Sequence, residues 1–161
     1  MRFYTGGTER MRLSSDGLHL GGTGSDNAMD DYEVGDWTPT FEGSSTAGSF
    51  SFGSGYGTGG YVKIGRLVFL TIYTGALDIS STAGSARVSN LPFASRGGNR
   101  LHNVFSVHHA TCFTDACTGG YINPGGTYGY FLKDGDPSSS NAWSNGSSGK
   151  YLMMTAVYHT A

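Results

Sequence analysis

Glycine recurs 27 times in 161 residues, about two and a half times its average usage of roughly 7%, and it divides the chain into short pieces. There is no Gly-X-Y period and there are only four prolines, so collagen is excluded. Aromatic residues make up 13% of the chain, and their large buried areas argue against disorder. Helix signals are almost absent. Between Phe41 and Gly75 the longest stretches free of glycine and proline are Tyr61–Ile64 and Arg66–Thr74, both β-branched and aromatic. Runs of that kind, bounded by Gly, Ser, Asn and Asp, predict strands at Trp37–Phe41, Ser49–Phe52, Gly60–Ile64, Leu67–Tyr73, Ser85–Ser89, Leu101–His109, Tyr128–Leu132 and Tyr151–Tyr158. Their spacing suits an all-β sandwich or barrel-like domain.

The first 31 residues have a different texture. Arg2–Tyr4, Arg10–Leu13 and Leu18–Leu20 are tiny strand-like pieces separated by Gly6-Gly7, Asp16-Gly17 and Gly21-Gly22. Strands this short do not make a self-sufficient sheet in water; identical copies from other chains would bury their apolar side chains. An acidic linker, Gly24–Asp31, leads to a head that begins near Tyr32. Within the head, Gly43–Gly48, Gly53–Gly60 and Pro137–Gly149 read as low-complexity loops, and the apolar Tyr151–Tyr158 reads as a central, core-closing strand. Net charge is −2, with arginine and lysine dispersed, so there is no basic stripe for nucleic acid. No apolar run approaches about 18 residues, so membrane insertion is not expected. The polar N-terminus reads as mid-structure rather than as a secretory signal.

Four segments, in order, resemble the tail-fibre-like appendage proteins of tailed bacteriophages and prophages. They are Arg2–Gly17, the junction Asp30-Asp-Tyr-Glu-Val-Gly-Asp-Trp-Thr-Pro-Thr-Phe41, Tyr61-Val-Lys-Ile-Gly-Arg-Leu-Val68 and Val88-Ser-Asn-Leu-Pro-Phe93. The junction carries most of the resemblance, which covers roughly residues 2–42, 60–72 and 86–94 and stops before about Gly97. It implies a virion structural protein, assembled in the bacterial cytoplasm as a homotrimer. A short intertwined β stem (1–31) would join other virion proteins, and a β-sandwich or jelly-roll-like head (32–161) would meet a bacterial surface glycan or protein. Trimer burial of Phe3, Met11, Leu13, Leu18 and Leu20 would hold the stem. A tail fibre, tailspike tip, head fibre or baseplate part all fit, as does a purely structural part without a receptor.

Catalytic chemistry is sparse. Gly55-Tyr-Gly-Thr-Gly-Gly60 spells the dinucleotide fingerprint, but a strand follows where a helix N-terminus must bind the pyrophosphate. His102 and His108 share a strand face with Val104 and Ser106. On a threefold axis one such histidine per chain would offer three nitrogens to a metal such as zinc; the plainer reading is exposed strand residues, and no metal or cofactor is expected. Glycoside cleavage needs two carboxyl groups about 5 to 9.5 Å apart. Asp134-Gly-Asp136-Pro137 reads as a turn with Lys133 as surface partner, so polysaccharide degradation is the less favoured alternative and no enzyme is expected. Cys112 and Cys117 flank four residues and are read equally as a bridged hairpin or as reduced thiols. Leu91-Pro92-Phe93 reads as a rigid turn plugging the core edge. Aromatics on glycine-rich loops are the better lead. Tyr56, Tyr121 and Trp143, with Asn141, are the candidate receptor contacts, because flat faces with hydrogen-bonding tips suit sugar rings and protein epitopes.

Overall fold

The computed structural model describes residues 1–22, 24, 28–29, 31–99 and 101–160, and within them every regular element is a strand. Four form the first sheet: β1 (Arg2–Thr5), β2 (Thr8–Ser14), β3 (Gly17–Leu20) and β4 (Ala28–Met29), an antiparallel meander in chain order. Gly6 and Gly7 both have positive φ (58° and 77°), the geometry of the two-residue turn whose twist matches a hairpin. Of the expected linker Gly24–Asp31, β4 occupies Ala28–Met29, whereas residues 25–27 and 30 lie outside the described residues.

The register of this small sheet sorts its large apolar side chains onto one face. Phe3, Met11 and Leu20 lie directly opposite one another across β1, β2 and β3, and Leu13, Leu18 and Met29 form the next row. Between Phe3 and Tyr4 the register shifts, so that Glu9 turns to the side opposite Met11. There it accepts hydrogen bonds from Arg12 (2.8 and 3.2 Å) and Tyr4 (3.3 Å), with Arg2 at 3.7 Å, while Ser14 bonds the buried His19 (2.9 Å). Arg12 holds the Glu9 carboxyl below its usual range. One face is thus a salted network; the other carries two open apolar rows, with Leu13 56% and Phe3 45% exposed, and ends at the turn in Thr5, whose hydroxyl accepts from Arg10 (3.0 Å).

The head continues as β5 (Tyr32–Trp37), β6 (Thr40–Gly43), β7 (Ser49–Ser51), β8 (Gly59–Ile64), β9 (Leu67–Tyr73), β10 (Leu77–Ser80), β11 (Ala86–Ser89), β12 (Asn103–His108), β13 (Gly119–Ile122), β14 (Gly129–Lys133), β15 (Asp136–Ser140), β16 (Ser147–Lys150) and β17 (Met153–His159). The main sheet runs β5-β8-β9-β17-β12-β13-β14-β11-β6, with β15 on β14, and every pairing is antiparallel. Its two end strands, β5 and β6, are consecutive and separated only by Thr38 and Pro39. A three-residue step reaches at most about 11 Å, so the sheet has to curl until its ends nearly meet. The Asn90 side chain donates to the Thr38 carbonyl (2.7 Å) and ties that corner. Pro39 therefore ends one strand and precedes another, whereas Trp37–Phe41 reads in sequence as a single strand.

Alternation places the core inside the curl. Val68, Leu70 and Ile72 of β9, Met154, Ala156 and Tyr158 of β17, and Phe105 and Val107 of β12 are buried, with their neighbours in sequence facing out. The small sheet β16-β10-β7 covers the same core with Leu77 and Ile79. The terminal strand β17 sits between β9 and β12, the central position its apolar sequence predicts. Leu91 is buried, and Phe93 packs edge-on to Tyr61 (5.4 Å between centroids), so the Leu91–Phe93 turn does plug the core edge.

Pro137–Gly149 departs furthest from expectation, because it holds β15 and β16 rather than a loop. Trp143 between them is only 2% exposed and packs among Phe41, Phe50, Phe113 and Phe131 at centroid distances of 4.8 to 5.5 Å. Its indole N–H donates to the Glu42 carbonyl (2.8 Å). Asn141 is fully buried, and its amide bridges the Asp115–Ala116 backbone to Ala142. Neither side chain is available to a receptor; the polar, glycine-rich flanks suggested a loop, but serines facing water on β15 and β16 explain that composition equally well.

Cys112 and Cys117 are free, buried thiols. The segment between them is not a closed hairpin: Phe113 bridges to Trp143, and Thr114 N–H donates to the Ala142 carbonyl (3.0 Å). Burial pushes the Cys112 thiol up to about 12 and Cys117 up to about 11, from 9.0, and desolvation takes the Tyr158 hydroxyl from 10.0 to about 12. With rising pH the unfolded chain gives up these protons first. The stability they contribute is complete below about pH 9 and drains away from there to about pH 12, at roughly 1 kcal/mol per pH unit for each thiol. The denaturant midpoint is expected to stay level from pH 7 to 8.5 and to fall steadily from pH 9 to 11. A midpoint that held level to pH 11 would place the thiols in water.

Candidate functional site

A cleft of about 630 Å³ opens on the outer face of the head, where β8, β9, β17 and β12 run side by side. Its floor is low because Gly60 of β8 has no side chain; a Cβ there would meet nothing within 4 Å, whereas one on Gly59 would run inward against the Trp37 indole. Thr71 and Thr155 pair directly across β9 and β17 and give the floor two hydroxyls, while Met153 and His108 pair at its side.

Aromatic rings frame the cleft. Tyr56, 51% exposed, stands on the Gly53–Gly60 loop and meets Tyr73 edge-on at 5.3 Å. The loop folds tightly because the Tyr56 N–H donates to the Gly53 carbonyl (2.9 Å) and because its ring lies where any side chain on Gly75 would be. Tyr73 in turn lies parallel to Tyr151 (6.5 Å) and His109 (6.2 Å), and His109 stacks on Tyr151 at 4.7 Å with 3° between planes. His109 follows β12 in the left-handed region, φ 49°, a conformation in which histidine is over-represented and which turns the ring onto Tyr151.

The lining includes no carboxylate, lysine or arginine. Hydroxyls, an imidazole and aromatic faces are suited to a neutral, ring-shaped, hydroxyl-bearing ligand, since each sugar-like ring has one apolar face and a rim of hydrogen-bonding groups. Of the sequence candidates, Tyr56 and His108 meet here. Tyr121 and His102 do not: they lie beyond β17 and β12, where Tyr121 contacts His102 (5.6 Å) and Tyr130 (5.7 Å). Tyr73 and Tyr151 escaped notice in sequence, and His109 counts there as the last residue of the Leu101–His109 run, on the face opposite His108. Tyr73 and Tyr151 end or begin apolar strands and so count as core by pattern.

The acids of the catalytic alternative are occupied otherwise. Asp134 accepts from the Thr118 N–H (3.0 Å) and hydroxyl (2.8 Å), and Asp136 from Ser138 (2.6 Å) and Ser139 (2.7 Å). The two serine hydroxyls hold the Asp136 carboxyl below its usual range, opposite to the direction a general acid needs. Lys133 pairs with Asp115 (3.0 Å) rather than with the turn. Among the described residues no three His, Cys, Asp or Glu side chains of one chain gather around a point where a metal could sit. No family model, curated protein or solved structure matches this chain.

Proposed function

We propose that the chain is an appendage protein of a tailed bacteriophage virion. In this reading it is a homotrimer held by residues 1–31, where it also meets other virion proteins, and its sandwich- or jelly-roll-like head faces a bacterial surface. One observation supports this most: the five residues proposed to hold the stem, Phe3, Met11, Leu13, Leu18 and Leu20, share a single uncovered face of the first sheet. A four-stranded meander with one apolar face needs that face covered to be stable, and three identical copies cover one another without any further component. The aromatic cleft favours an adhesive head over a purely structural one, and weak contacts made three times gain through effective concentration.

The solution mass at low micromolar concentration tests the assembly. Three times 16.9 kDa is expected for the native chain and a single-chain mass for Leu18→Asp. Leu13→Asp gives the cleaner comparison, since Leu13 is exposed in the single chain and its replacement leaves the meander itself intact. A native monomer refutes the homotrimer. Tyr56→Ala tests the adhesive half. Adsorption to susceptible cells should fall at least about tenfold, with thermal stability nearly unchanged; undiminished adsorption removes the cleft from the receptor site.

A further inference from the structure

The outer face of the head carries a second open apolar surface, separate from the stem. Across the strands, Val34 lies opposite Val62, Val62 opposite Phe69, and Phe69 opposite Val157. Phe105 pairs with Ala156, which brings Val104 beside Val157, and Val104 lies opposite Tyr121. These residues make an apolar belt at right angles to β5, β8, β9, β17, β12 and β13. One row nearer the stem, Tyr32, Ile64 and Leu67 widen it over β5, β8 and β9. No member of the belt is charged, and Val104 is 73% exposed and Tyr32 69%. Beside Gly35 and Gly60 the belt dips into a hollow of about 370 Å³.

We propose that this belt is the surface through which the heads of neighbouring copies of this chain pack on one another. Area is the first argument. Nine apolar side chains that are mostly about half exposed present on the order of 600 Å² of apolar surface, at the upper end for a monomer and close to the roughly 800 Å² per partner of a stable interface. Chemistry is the second. An uncharged belt offers a foreign partner no electrostatic address, whereas a second uncharged belt meets it without unpaired charges. Continuity is the third, and it rests on the assembly reading above. Tyr32 follows Met29, on the apolar face of the stem, after two residues, a reach of at most about 11 Å. Asp31 between them is pinned by an ion pair with Lys63 and by the Gly65 N–H donating to its carbonyl (2.6 Å). Copies joined at the stem therefore hold their Tyr32–Ile64–Leu67 corners close together, at an effective concentration that makes a modest apolar contact sufficient. The Thr71–Thr155–Ser106 row separates the belt from Tyr73, Met153 and His108. Thr71 and Thr155 are also the floor of the cleft, and Gly60 and Thr71 line both the cleft and the hollow of the belt. Tyr73, Met153 and His108 lie four residues, about 13 Å, from the belt, so that wall of the cleft stays at the free rim of the contact.

The test compares four full-length proteins by sedimentation from nanomolar to about 100 μM: native, Leu13→Asp, Val34→Asp/Val104→Asp, and the triple variant. Every replaced side chain is more than half exposed in the single chain, and the fluorescence of the two buried tryptophans, Trp37 and Trp143, reports whether each variant is folded. Val34→Thr/Val104→Thr serves as a second belt variant that keeps the β-branched shape without adding charge. Expected are association at least about a hundredfold weaker in the aspartate belt variant, a smaller loss in the threonine one, residual association of Leu13→Asp at the highest concentrations, and a monomeric triple variant. Unchanged association of the belt variants overturns the proposal and leaves the stem reading standing. Loss in the belt variants with Leu13→Asp unchanged supports the belt and overturns the stem. A native chain that stays monomeric throughout overturns both.

Discussion

Trp143→Ala is expected to lower the unfolding free energy by about 4 kcal/mol, since emptying an aromatic site in a packed core typically costs about 3 to 5. The ring stacks on Phe113 at 4.8 Å and meets Phe41, Phe50 and Phe131 edge-on or nearly so. The cavity would therefore open among four other aromatic side chains, from strands that cannot all close in together. The Glu42 carbonyl also loses its indole donor, which adds about 1 kcal/mol. In a domain of this size the thermal midpoint should drop by roughly 10 °C. Trp143→Phe, which keeps most of the packing and loses the hydrogen bond, should cost less than half as much. Guanidinium denaturation with circular dichroism as the probe decides it. A Trp143→Ala protein as stable as the native one, yet defective in adsorption, would return this residue to the surface.

Asn141→Leu is expected to cost about 3 kcal/mol although it preserves volume. The amide oxygen accepts from the backbone N–H of Ala142 (2.9 Å) and Asp115 (3.3 Å), and the amide nitrogen donates to the carbonyls of Asp115 (3.0 Å) and Ala116 (3.3 Å). Leucine leaves these four backbone groups without a side-chain partner, and each buried group left unsatisfied costs about 1 to 3 kcal/mol before relaxation. Hydrogen exchange separates this from a simple packing defect. Protection should fall first at Asp115 and Ala142, beyond the global loss of stability. Uniform loss across the head would mean that the amide does not organise the 112–117 segment.

Much of the head was legible from local pattern. Leu67–Tyr73 is a continuous β-branched and aromatic run that the structure buries on alternate residues, and the glycine at 65, with φ 55°, makes the tight turn between β8 and β9 that interrupted apolar runs suggest. The strands that escaped notice are of two kinds: short alternating ones, Tyr32–Trp37 and Leu77–Ser80, and ones rich in glycine or serine. Gly119–Ile122 carries two glycines because Gly120 runs against the Tyr130 carbonyl and the Phe105 ring, where a Cβ has no room. Asp136–Ser140 and Ser147–Lys150, rich in serine, are strands because each has a partner strand to complete, β14 and β10 respectively. Pairing partners supply what intrinsic preference withholds.

Sequence alone determined the class of structure. Glycine punctuation and β-branched, aromatic runs leave only short strands, and alternation in Met11–Leu13 and Leu18–Leu20 already places the apolar stem residues on common faces, because side-chain direction along a strand has a period of two. Tertiary structure alone decided which aromatic side chains are core and which meet water. Trp143 is buried because Phe41, Phe113 and Phe131, each from a distant part of the chain, converge on it. The cleft exists because the pairing of β9 with β17 and of β17 with β12 brings Tyr73, Met153 and His108 side by side beneath Tyr56 of the Gly53–Gly60 loop. Local periodicity reports the direction of each side chain from its own strand; what lies in that direction is set by closure of the sheet across long sequence separations.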